Sequence, residues 1–479
     1  MPRAVSSLLL ALALAAIVGA ACAGAGASGS TATSDWTRFG YDASRSSDDP
    51  NSTGITATNV ASLVRKQVHL PGTVDASAIY LSGVEVKNAL HDTLFVTTTY
   101  GITLAIDAHS GAILWQWKPP GYSSFAGSPQ ITTATPVADP GRKFIYAASP
   151  DGKIQKLSVA NGQPAWRVSI TKLPAREKIA ASLNYANGDV IATTGGYIGD
   201  QPPYQGHVAI ISPAGSLLHV WNSLCSDRHT LISPSTCPQS DSAIWGRAGA
   251  VVMPGSGNLL VATGNGLWDG HTYWGDATIE LSPNATTMLG NYTPTNTAQL
   301  NANDTDVGST SPVYLTKTLI AQGGKDGKIR LLSLARLSGT SPHKGNELQI
   351  VSTPSGSELF TAPAVWRENG NAWLIAADNG ATQAWELVNN RLHSVWHNQI
   401  PGTSPVIAGG LLYVYDPNGG LKVYKPATGK LLTTLNAGGG HWNSPIATGG
   451  VVVLPEGDAN NHATSGVLDI WHFLAQPGG

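Results

Sequence analysis

The chain has 479 residues, including 54 Gly and 30 Pro, and only 12% of its residues are charged. Together with 42% hydrophobic residues, this composition predicts a chain that buries a large core and contains many turns, which excludes a disordered protein. The formal net charge is −2 and no basic stripe occurs along the sequence. Nucleic-acid binding is therefore excluded from the predicted functions.

The first residues have the pattern of a targeting segment. Arg3 supplies a positive start, Leu8 to Val18 form an apolar core, and small residues follow, so we predict a signal peptide over residues 1–21. The apolar run is too short to span a membrane, and we expect no transmembrane segment later in the chain. Cys22 is either removed with the signal or becomes a lipid anchor, and residues 22–34 form a small-residue linker. The predicted location is periplasmic or extracellular.

A polar residue, a glycine and a tryptophan recur at regular intervals after this linker. The copies contain Gly111 with Trp115, Gly162 with Trp166, Gly215 with Trp221, and a weaker copy around Gly429. The first three glycines are separated by 51 and 53 residues. A period of this length, made of strands and turns, is typical of a β-propeller. We therefore predict a single all-β domain over residues 35–475.

The domain divides into eight units of four short antiparallel strands. In chain order the units begin near Ser77, Thr135, Ile179, Gly249, Ser311, Ala362, Ser404 and Ser444. The last unit lacks an outer strand, and Val64 to Leu70, upstream of the first unit, is the predicted donor of that strand. The prediction is an eight-bladed β-propeller in which N- and C-terminal strands close the ring. A seven-bladed ring would require two of the weaker units to merge.

Cysteine usage agrees with export. Apart from Cys22, the chain contains only Cys225 and Cys237, which lie in a polar segment. Because an exported protein meets an oxidising compartment, we predict that these two residues form a disulfide that closes a small surface loop.

The repeats, together with the stretches from Asp35 to Arg45 and from Ile55 to Val60, resemble the quinoprotein alcohol dehydrogenase-like propellers, whose repeat is named after pyrroloquinoline quinone (PQQ). The resemblance covers almost the whole mature chain and implies the same fold. For catalytic members it implies a quinone stacked between a tryptophan and a vicinal disulfide. It also implies Ca²⁺ held by Glu, Asn and Asp at the wide mouth of the tunnel. Fold alone does not fix chemistry, so each site position has to be compared.

Several positions match that site. Asn265 lies in a segment similar to the one that supplies the Asn ligand, and Asp304 and Asp306 lie in the stretch that carries the Asp ligand and the catalytic Asp. Lys325 corresponds to the cation that polarises the quinone. The resemblance thus implies Asp304 and Asp306 as catalytic residues, Asn265 and Asp304 as metal ligands, and Lys325 as a cofactor-binding residue.

Other positions depart from the family. Arg247 stands where the stacking tryptophan is expected, and Trp245 is two residues away; both are candidate cofactor-binding residues. At the tunnel mouth an arginine can hold an acidic group or stack on an aromatic ring, or it can simply pair with a neighbouring carboxylate. No two cysteines are adjacent, and the segment expected to supply the Glu ligand contains Tyr197 and Asp200 instead.

Purely structural roles are the alternative for most of these residues. Asp304 and Asp306 are equally typical of residues that cap turns, and Lys325 precedes an Asp-Gly pair that is typical of hairpin turns. The run Arg176 to Lys178 is interpreted as a solvated or ion-paired turn.

Two hypotheses of function follow. The first is an exported binding or scaffold protein with a degenerate quinone site, which takes a small molecule or a protein at the propeller mouth. The second is a divergent oxidoreductase that depends on PQQ and Ca²⁺. Arg247 and the missing vicinal cysteines favour the first, whereas Asn265, Asp304, Asp306 and Lys325 favour the second. A third interpretation, a carbohydrate-acting propeller, would need paired carboxylates at a suitable separation in the tunnel.

Overall fold

The computed structural model describes residues 34–474. The predicted signal peptide, the lipid-anchor candidate Cys22 and nearly all of the predicted linker lie outside the described residues. Within the described part of the chain, no helix is both long and apolar enough to cross a membrane.

Residues 64–472 form eight four-stranded antiparallel sheets in a ring, which confirms the eight-bladed propeller. From the innermost strand outward, blades 1 to 4 consist of Ile79–Val86, Ala89–Thr97, Thr103–Asp107 and Ile113–Trp117; Val137–Ala138, Phe144–Ser149, Lys153–Ser158 and Pro164–Ser169; Asn184–Ala186, Asp189–Thr193, His207–Ile211 and Leu217–Asn222; and Val251–Val252, Leu259–Ala262, Thr278–Leu281 and Met288–Tyr292. Blades 5 to 8 consist of Val313–Tyr314, Leu319–Gly323, Lys328–Ser333 and Gln349–Ser352; Ala364–Glu368, Asn371–Ala377, Thr382–Val388 and Arg391–Asn398; Val406–Ala408, Leu411–Asp416, Gly420–Lys425 and Lys430–Leu435; and Ile446–Thr448, Val451–Glu456, Gly466–His472 and Val64–Leu70.

A few short elements complete the chain. Asp48–Asp49 adds a parallel strand to blade 7, and Glu177–Lys178 pairs with Gly195–Gly196 in a separate two-stranded ribbon. The α-helices are Tyr122–Phe125, Thr297–Asn303 and Leu334–Leu337, and the 3₁₀ helices are Val60–Ser62, Pro234–Thr236, Val307–Ser309 and Ala459–Asn461.

Several middle strands of the blades are buried along their whole length. Leu259–Ala262, for example, is buried at every position. Each blade is packed between two neighbours, so both faces of a middle strand are covered and the alternation of a half-exposed strand disappears. The outer strand Arg391–Asn398 shows the contrast, because exposed and covered residues are mixed along it.

The recurring glycine and tryptophan dock one blade on the next. The Trp115 indole of blade 1 donates to the carbonyl of Val159 in blade 2 at 2.8 Å. A Cβ at Gly162 would stand only 2.6 Å from the Trp115 ring, so only glycine allows this close approach. The same contact joins Trp166 to Gly215 in blade 3. The repeat that predicted the fold is therefore the interface between blades.

The ring closes as the sequence predicts. Val64–Leu70 pairs antiparallel with Gly466–His472, with Val68 opposite Leu468, and supplies the outer strand of blade 8. Pairing of these two strands removes the free edges that the last blade would otherwise expose.

A segment before the first blade covers one end of the innermost strands. Residues 36–53 hydrogen-bond in turn to the ends of these strands in blades 1, 2, 4, 6, 7 and 8. The guanidinium of Arg45 lies within this segment, fully buried, and donates to the carbonyls of Phe39, Ser182 and Leu183. Residues 36–53 therefore cover this end of the innermost strands.

The predicted disulfide between Cys225 and Cys237 is present. The loop between the two cysteines is more buried than its polar sequence predicts. Both cysteines are buried and pack with Leu224 and Ile232 in a small apolar cluster. The disulfide therefore fixes a minor core on the outer side of blade 3.

Candidate functional site

A cavity of about 470 Å³ opens where the chain enters the innermost strands, at the end of the ring opposite residues 36–53. A volume of this size is typical of sites for small organic molecules. All six candidate site residues of the sequence line it, namely Trp245, Arg247, Asn265, Asp304, Asp306 and Lys325. The structure thus brings together residues that are up to eighty positions apart in the chain.

Four of these residues form one connected group, which we call the acid–lysine cluster: Trp245, Asp304, Asp306 and Lys325. The Lys325 Nζ lies 2.8 Å from a carboxylate oxygen of Asp304 and 2.7 Å from one of Asp306. The other oxygen of Asp306 accepts a hydrogen bond of 2.9 Å from the Trp245 indole nitrogen. Asp306 is 1% exposed whereas Asp304 is 58% exposed, so one ion pair is buried and the other faces the cavity mouth.

Local structure holds this cluster in place. Asp304 ends the helix Thr297–Asn303 in the left-handed conformation, with φ of 52°, which Asp tolerates better than most residues. Asp306 then starts the 3₁₀ helix Val307–Ser309, and its carbonyl accepts a 3.0 Å hydrogen bond from the Lys325 amide. A Cβ at Gly264 would come within 2.9 Å of the Asp306 carboxylate, so a glycine there permits the contact with Trp245.

The charges of this cluster depend on one another. Burial raises the pKa of Asp306, although Lys325 and the Trp245 indole act in the opposite direction. Burial would lower the pKa of Lys325, but the carboxylates of Asp306 and Asp304 raise it above the ordinary value for lysine. Behind the cluster, burial and the nearby Asp306 raise the pKa of Asp276 to about 8.

A second group, the arginine cluster, consists of Asp75, Arg247, His441 and Trp442. The Arg247 guanidinium lies 2.8 Å from a carboxylate oxygen of Asp75 and also donates to the backbone carbonyls of Asp75 and Thr133. The second oxygen of Asp75 is 2.8 Å from His441 Nδ1 and accepts from the backbone amide of Ala459. Arg247 also lies over the Trp442 ring, 5.0 Å from its centroid. Both sequence alternatives for Arg247 are thus realised, namely an ion pair and a stacked aromatic.

Asp75 is the fixed anion of the arginine cluster. Burial would raise its pKa, but Arg247, His441 and the Ala459 amide hold that pKa well below the usual range for Asp. Asp75, His441 and Asp458 are also the one group of three potential metal ligands among the described residues. Both oxygens of Asp75 are already engaged, so this group is explained by the ion pair with Arg247 and carries no metal site.

Aromatic rings lie between the two clusters. The Phe360 and Trp442 rings stack with centroids 5.0 Å apart and planes at 19°. Trp245 is tilted against both of them at 6.1 Å. The cavity therefore combines flat apolar surfaces with charged groups, a composition typical of sites that orient small planar molecules.

The fold and this geometry can be compared with known proteins. Residues 75–229 match a protein family described as outer membrane protein assembly factor BamB. A comparison with curated protein sequences finds no match. The quinohemoprotein alcohol dehydrogenase from Comamonas testosteroni is similar in structure, with a TM-score of 0.68 and 14% identity over 93% of this chain and 82% of that one.

Two further solved structures are similar. A europium-containing methanol dehydrogenase has a TM-score of 0.67 and 14% identity over 92% of this chain and 98% of that one. BamB from Moraxella catarrhalis has a TM-score of 0.50 and 14% identity over 87% of this chain and 100% of that one. The chain therefore has the β-propeller fold of these quinoprotein dehydrogenases, and its match to a PQQ-repeat family model covers residues 75–229. Its chemistry has to be judged from its own cavity, because identity at this level shows the fold alone.

The cavity of this PQQ-repeat propeller does not fit a Ca²⁺ ion in the position that the family implies. Ca²⁺ takes six to eight oxygen ligands. The Lys325 ammonium lies between Asp304 and Asp306, where a dication held by both carboxylates would have to be. Of the implied ligands this leaves the side chain of Asn265, which lines the cavity, and one amide oxygen does not make up a Ca²⁺ coordination shell.

The cavity does not fit a stacked quinone either. The disulfide found among residues 34–474 joins Cys225 to Cys237, and neither cysteine lines the cavity. Trp245, the indole nearest in sequence to the expected stacking position, packs against Phe360 and Trp442, and the Lys325 ammonium lies 5.5 Å from the Trp245 ring. The two hard faces that would hold a quinone are therefore not offered.

Most residues of the cavity wall were not predicted from the sequence. Residues 176–178 were predicted to be a solvated or ion-paired turn, but the last two form a strand, in which Glu177 is fully buried 3.1 Å from His207 Nε2 and Lys178 lines the cavity. Several of the other lining residues share a position relative to the start of their blade, which is a signal that the sequence contains. The residue two positions before the start of a unit lines the cavity in five units, at Asp75, Thr133, Arg247, Phe360 and Trp442.

Proposed function

We propose that this protein is an exported binding propeller whose mouth cavity holds a small planar molecule, and that its quinone site is degenerate. One observation carries the proposal. The acid–lysine cluster, which corresponds to the metal and base positions of the quinoprotein dehydrogenases, is closed on itself: Lys325 pairs with both carboxylates, and Trp245 donates to Asp306. A general base must be available to a substrate proton, and a metal ligand must be available to the metal.

The other features agree with binding. The stacked rings of Phe360 and Trp442 offer a flat apolar contact, and the arginine cluster provides a rigid polar wall. The family matched by residues 75–229 is described as an assembly factor, so a propeller that acts through binding has a precedent in this fold. The disulfide supports export, because such bonds persist in oxidising compartments. Attachment through Cys22 belongs to the same proposal.

A screen with planar polar fragments by saturation-transfer NMR tests the binding function. Fragments that bind the wild type are expected to lose their signal in Trp442→Leu, which removes one stacked ring. Trp268→Leu is the matched control, since Trp268 does not line the cavity. If no fragment distinguishes Trp442→Leu from the control, the cavity is not a binding site and the proposal fails.

A second candidate is a divergent PQQ-dependent oxidoreductase, which would use Asp304 and Asp306 as catalytic residues and Asn265 as a metal ligand. It is favoured by the convergence of these residues with Lys325 on one cavity. It would require a metal to displace the Lys325 ammonium from the two carboxylates. Reconstitution with PQQ and Ca²⁺ separates the candidates: the binding function predicts neither stoichiometric cofactor absorbance nor dye-linked alcohol oxidation, and turnover would establish the oxidoreductase instead.

A further inference from the structure

Lys178 differs from the other cations of the cavity. Arg247 is paired with Asp75, and Lys325 is paired with Asp304 and Asp306. Within the described residues, the Lys178 ammonium has no hydrogen-bond or ion-pair partner, and its side chain is partly buried in the cavity wall. An unpaired amine in a protein cavity is a group that a ligand can reach.

The backbone around Lys178 is held on both sides. Lys178 pairs with Gly195 in the two-stranded ribbon. On the other side, the hydroxyls of Thr132 and Thr133 donate to the carbonyls of Ile179 and Ala180 at 2.7 and 2.8 Å. Side chains alternate along an extended strand, so Glu177 points into the blade while Lys178 points into the cavity. The amine is therefore presented by a rigid element.

The surroundings of Lys178 favour a neutral amine. The charged groups that face it are Arg247, Asp75 and Asp458. Burial and the neighbouring Arg247 lower the pKa of Lys178 to about 8, against the weaker opposite effect of the two carboxylates. Desolvation and an adjacent cation are the two conditions that activate a lysine amine as a nucleophile toward carbonyl compounds.

We propose that Lys178 is a covalent binding site for aldehydes, at which the amine condenses with an aromatic aldehyde seated against the cavity rings. The Lys178 nitrogen forms a bond to the carbonyl carbon, the carbonyl oxygen leaves as water with both amine protons, and an imine remains. No oxidant or reductant is involved. The exposed carboxylates of Asp200, Asp304 and Glu358 at the cavity rim favour an uncharged aldehyde over an anionic oxo acid. The inference rests on the proposed binding function, since it names the ligand class of the same cavity.

Reductive trapping tests the inference on the intact protein. The protein is treated with benzaldehyde and cyanoborohydride at pH 7 and digested, and benzylation of each lysine is quantified by mass spectrometry. Lys178 is expected to react roughly tenfold or more faster than the exposed Lys87 and Lys430, because its pKa lies more than two units below that of a free lysine. The preference should disappear in denaturant, and Lys178→Arg should leave the other lysines unchanged.

Equal or slower labelling of Lys178 in the folded protein would overturn the inference, and this comparison needs no variant. Benzyl alcohol, which has the ring but no carbonyl, reports on the cavity alone when its binding is followed by saturation-transfer NMR. Benzyl alcohol binding without a Lys178 adduct overturns the covalent site and leaves the binding function standing. Absence of both overturns the covalent site, and the fragment screen with Trp442→Leu then decides the binding function separately.

Discussion

The acid–lysine cluster and the arginine cluster line one cavity, yet their charges are arranged differently. In the acid–lysine cluster the ammonium of Lys325 forms ion pairs with two carboxylates, the exposed one of Asp304 and the buried one of Asp306. In the arginine cluster the single buried carboxylate of Asp75 forms an ion pair with Arg247 and contacts the imidazole of His441. The first arrangement closes a site that resembles a catalytic one, whereas the second builds a rigid wall beside the unpaired Lys178. The difference teaches that the acid–lysine cluster neutralises its own charges, whereas the opposite wall of the cavity leaves one amine, that of Lys178, without a partner among the described residues.

Removing the central anion of the arginine cluster should have the largest effect. Asp75→Asn leaves Arg247 buried without a counter-charge, and we expect the free energy of unfolding to fall by about 3–5 kcal/mol. Urea denaturation followed by tryptophan fluorescence measures this change. The double variant Asp75→Asn with Arg247→Met should regain much of the loss, and a double variant as unstable as the single one would contradict the account.

The two carboxylates of the acid–lysine cluster allow a matched pair of variants, one at a buried and one at an exposed aspartate. Asp306→Asn removes a buried partner of Lys325 and should lower the free energy of unfolding by about 1–3 kcal/mol. Asp304→Asn removes an exposed partner and should change it by about 0.5 kcal/mol or less. The same denaturation assay compares the two variants. Equal effects would mean that burial does not distinguish the two ion pairs.

Asp276 behind the acid–lysine cluster should make stability depend on pH. In the folded state it keeps its proton up to a pKa of about 8, whereas the unfolded chain releases this proton near pH 4. Between these values the folded state binds more protons, so stability falls as pH rises. Relative to the wild type, Asp276→Asn should gain about 2–3 kcal/mol between pH 5 and pH 7. A difference that is independent of pH would contradict the raised pKa.

Lys178→Met should change stability in the opposite direction to the two ion-pair variants. Below pH 8 the lysine is charged in both states and its burial disfavours the folded one, so the variant should be more stable than the wild type at pH 7 by about 1–3 kcal/mol. Between pH 8 and the pKa of a free lysine the unfolded state binds more protons, and the wild type should regain this difference. Thermal unfolding at pH 7 and pH 10 checks the reversal, which a paired Lys178 would not show.

Most of the fold was predictable from the sequence because the interface between blades needs two residues at fixed positions. The ring of a tryptophan such as Trp115 packs against a backbone position that has no room for a Cβ, and glycine is the only residue type that fits there, as at Gly162. The strand from Val64 to Leu70 was predictable for a related reason, because a last blade with three strands leaves an open edge.

The cavity was predictable only where its residues follow a turn pattern shared with the family. Asp304, Asp306 and Lys325 lie in such turns and were found. Asp75 and His441 are 366 positions apart and meet only because the ring closes, so no local pattern pairs them. Lys178 was missed because a charged triplet such as Arg176 to Lys178 usually faces solvent. The two-residue ribbon that directs it inward has no sequence signal of its own.

Calcium titration by isothermal calorimetry tests most directly the claim that the acid–lysine cluster is closed on itself. The account predicts no saturable Ca²⁺ binding by the wild-type protein at millimolar concentration, because Lys325 already neutralises Asp304 and Asp306. Saturable binding with a stoichiometry of one, abolished by Asp306→Asn, would contradict that claim and restore the oxidoreductase as the better function.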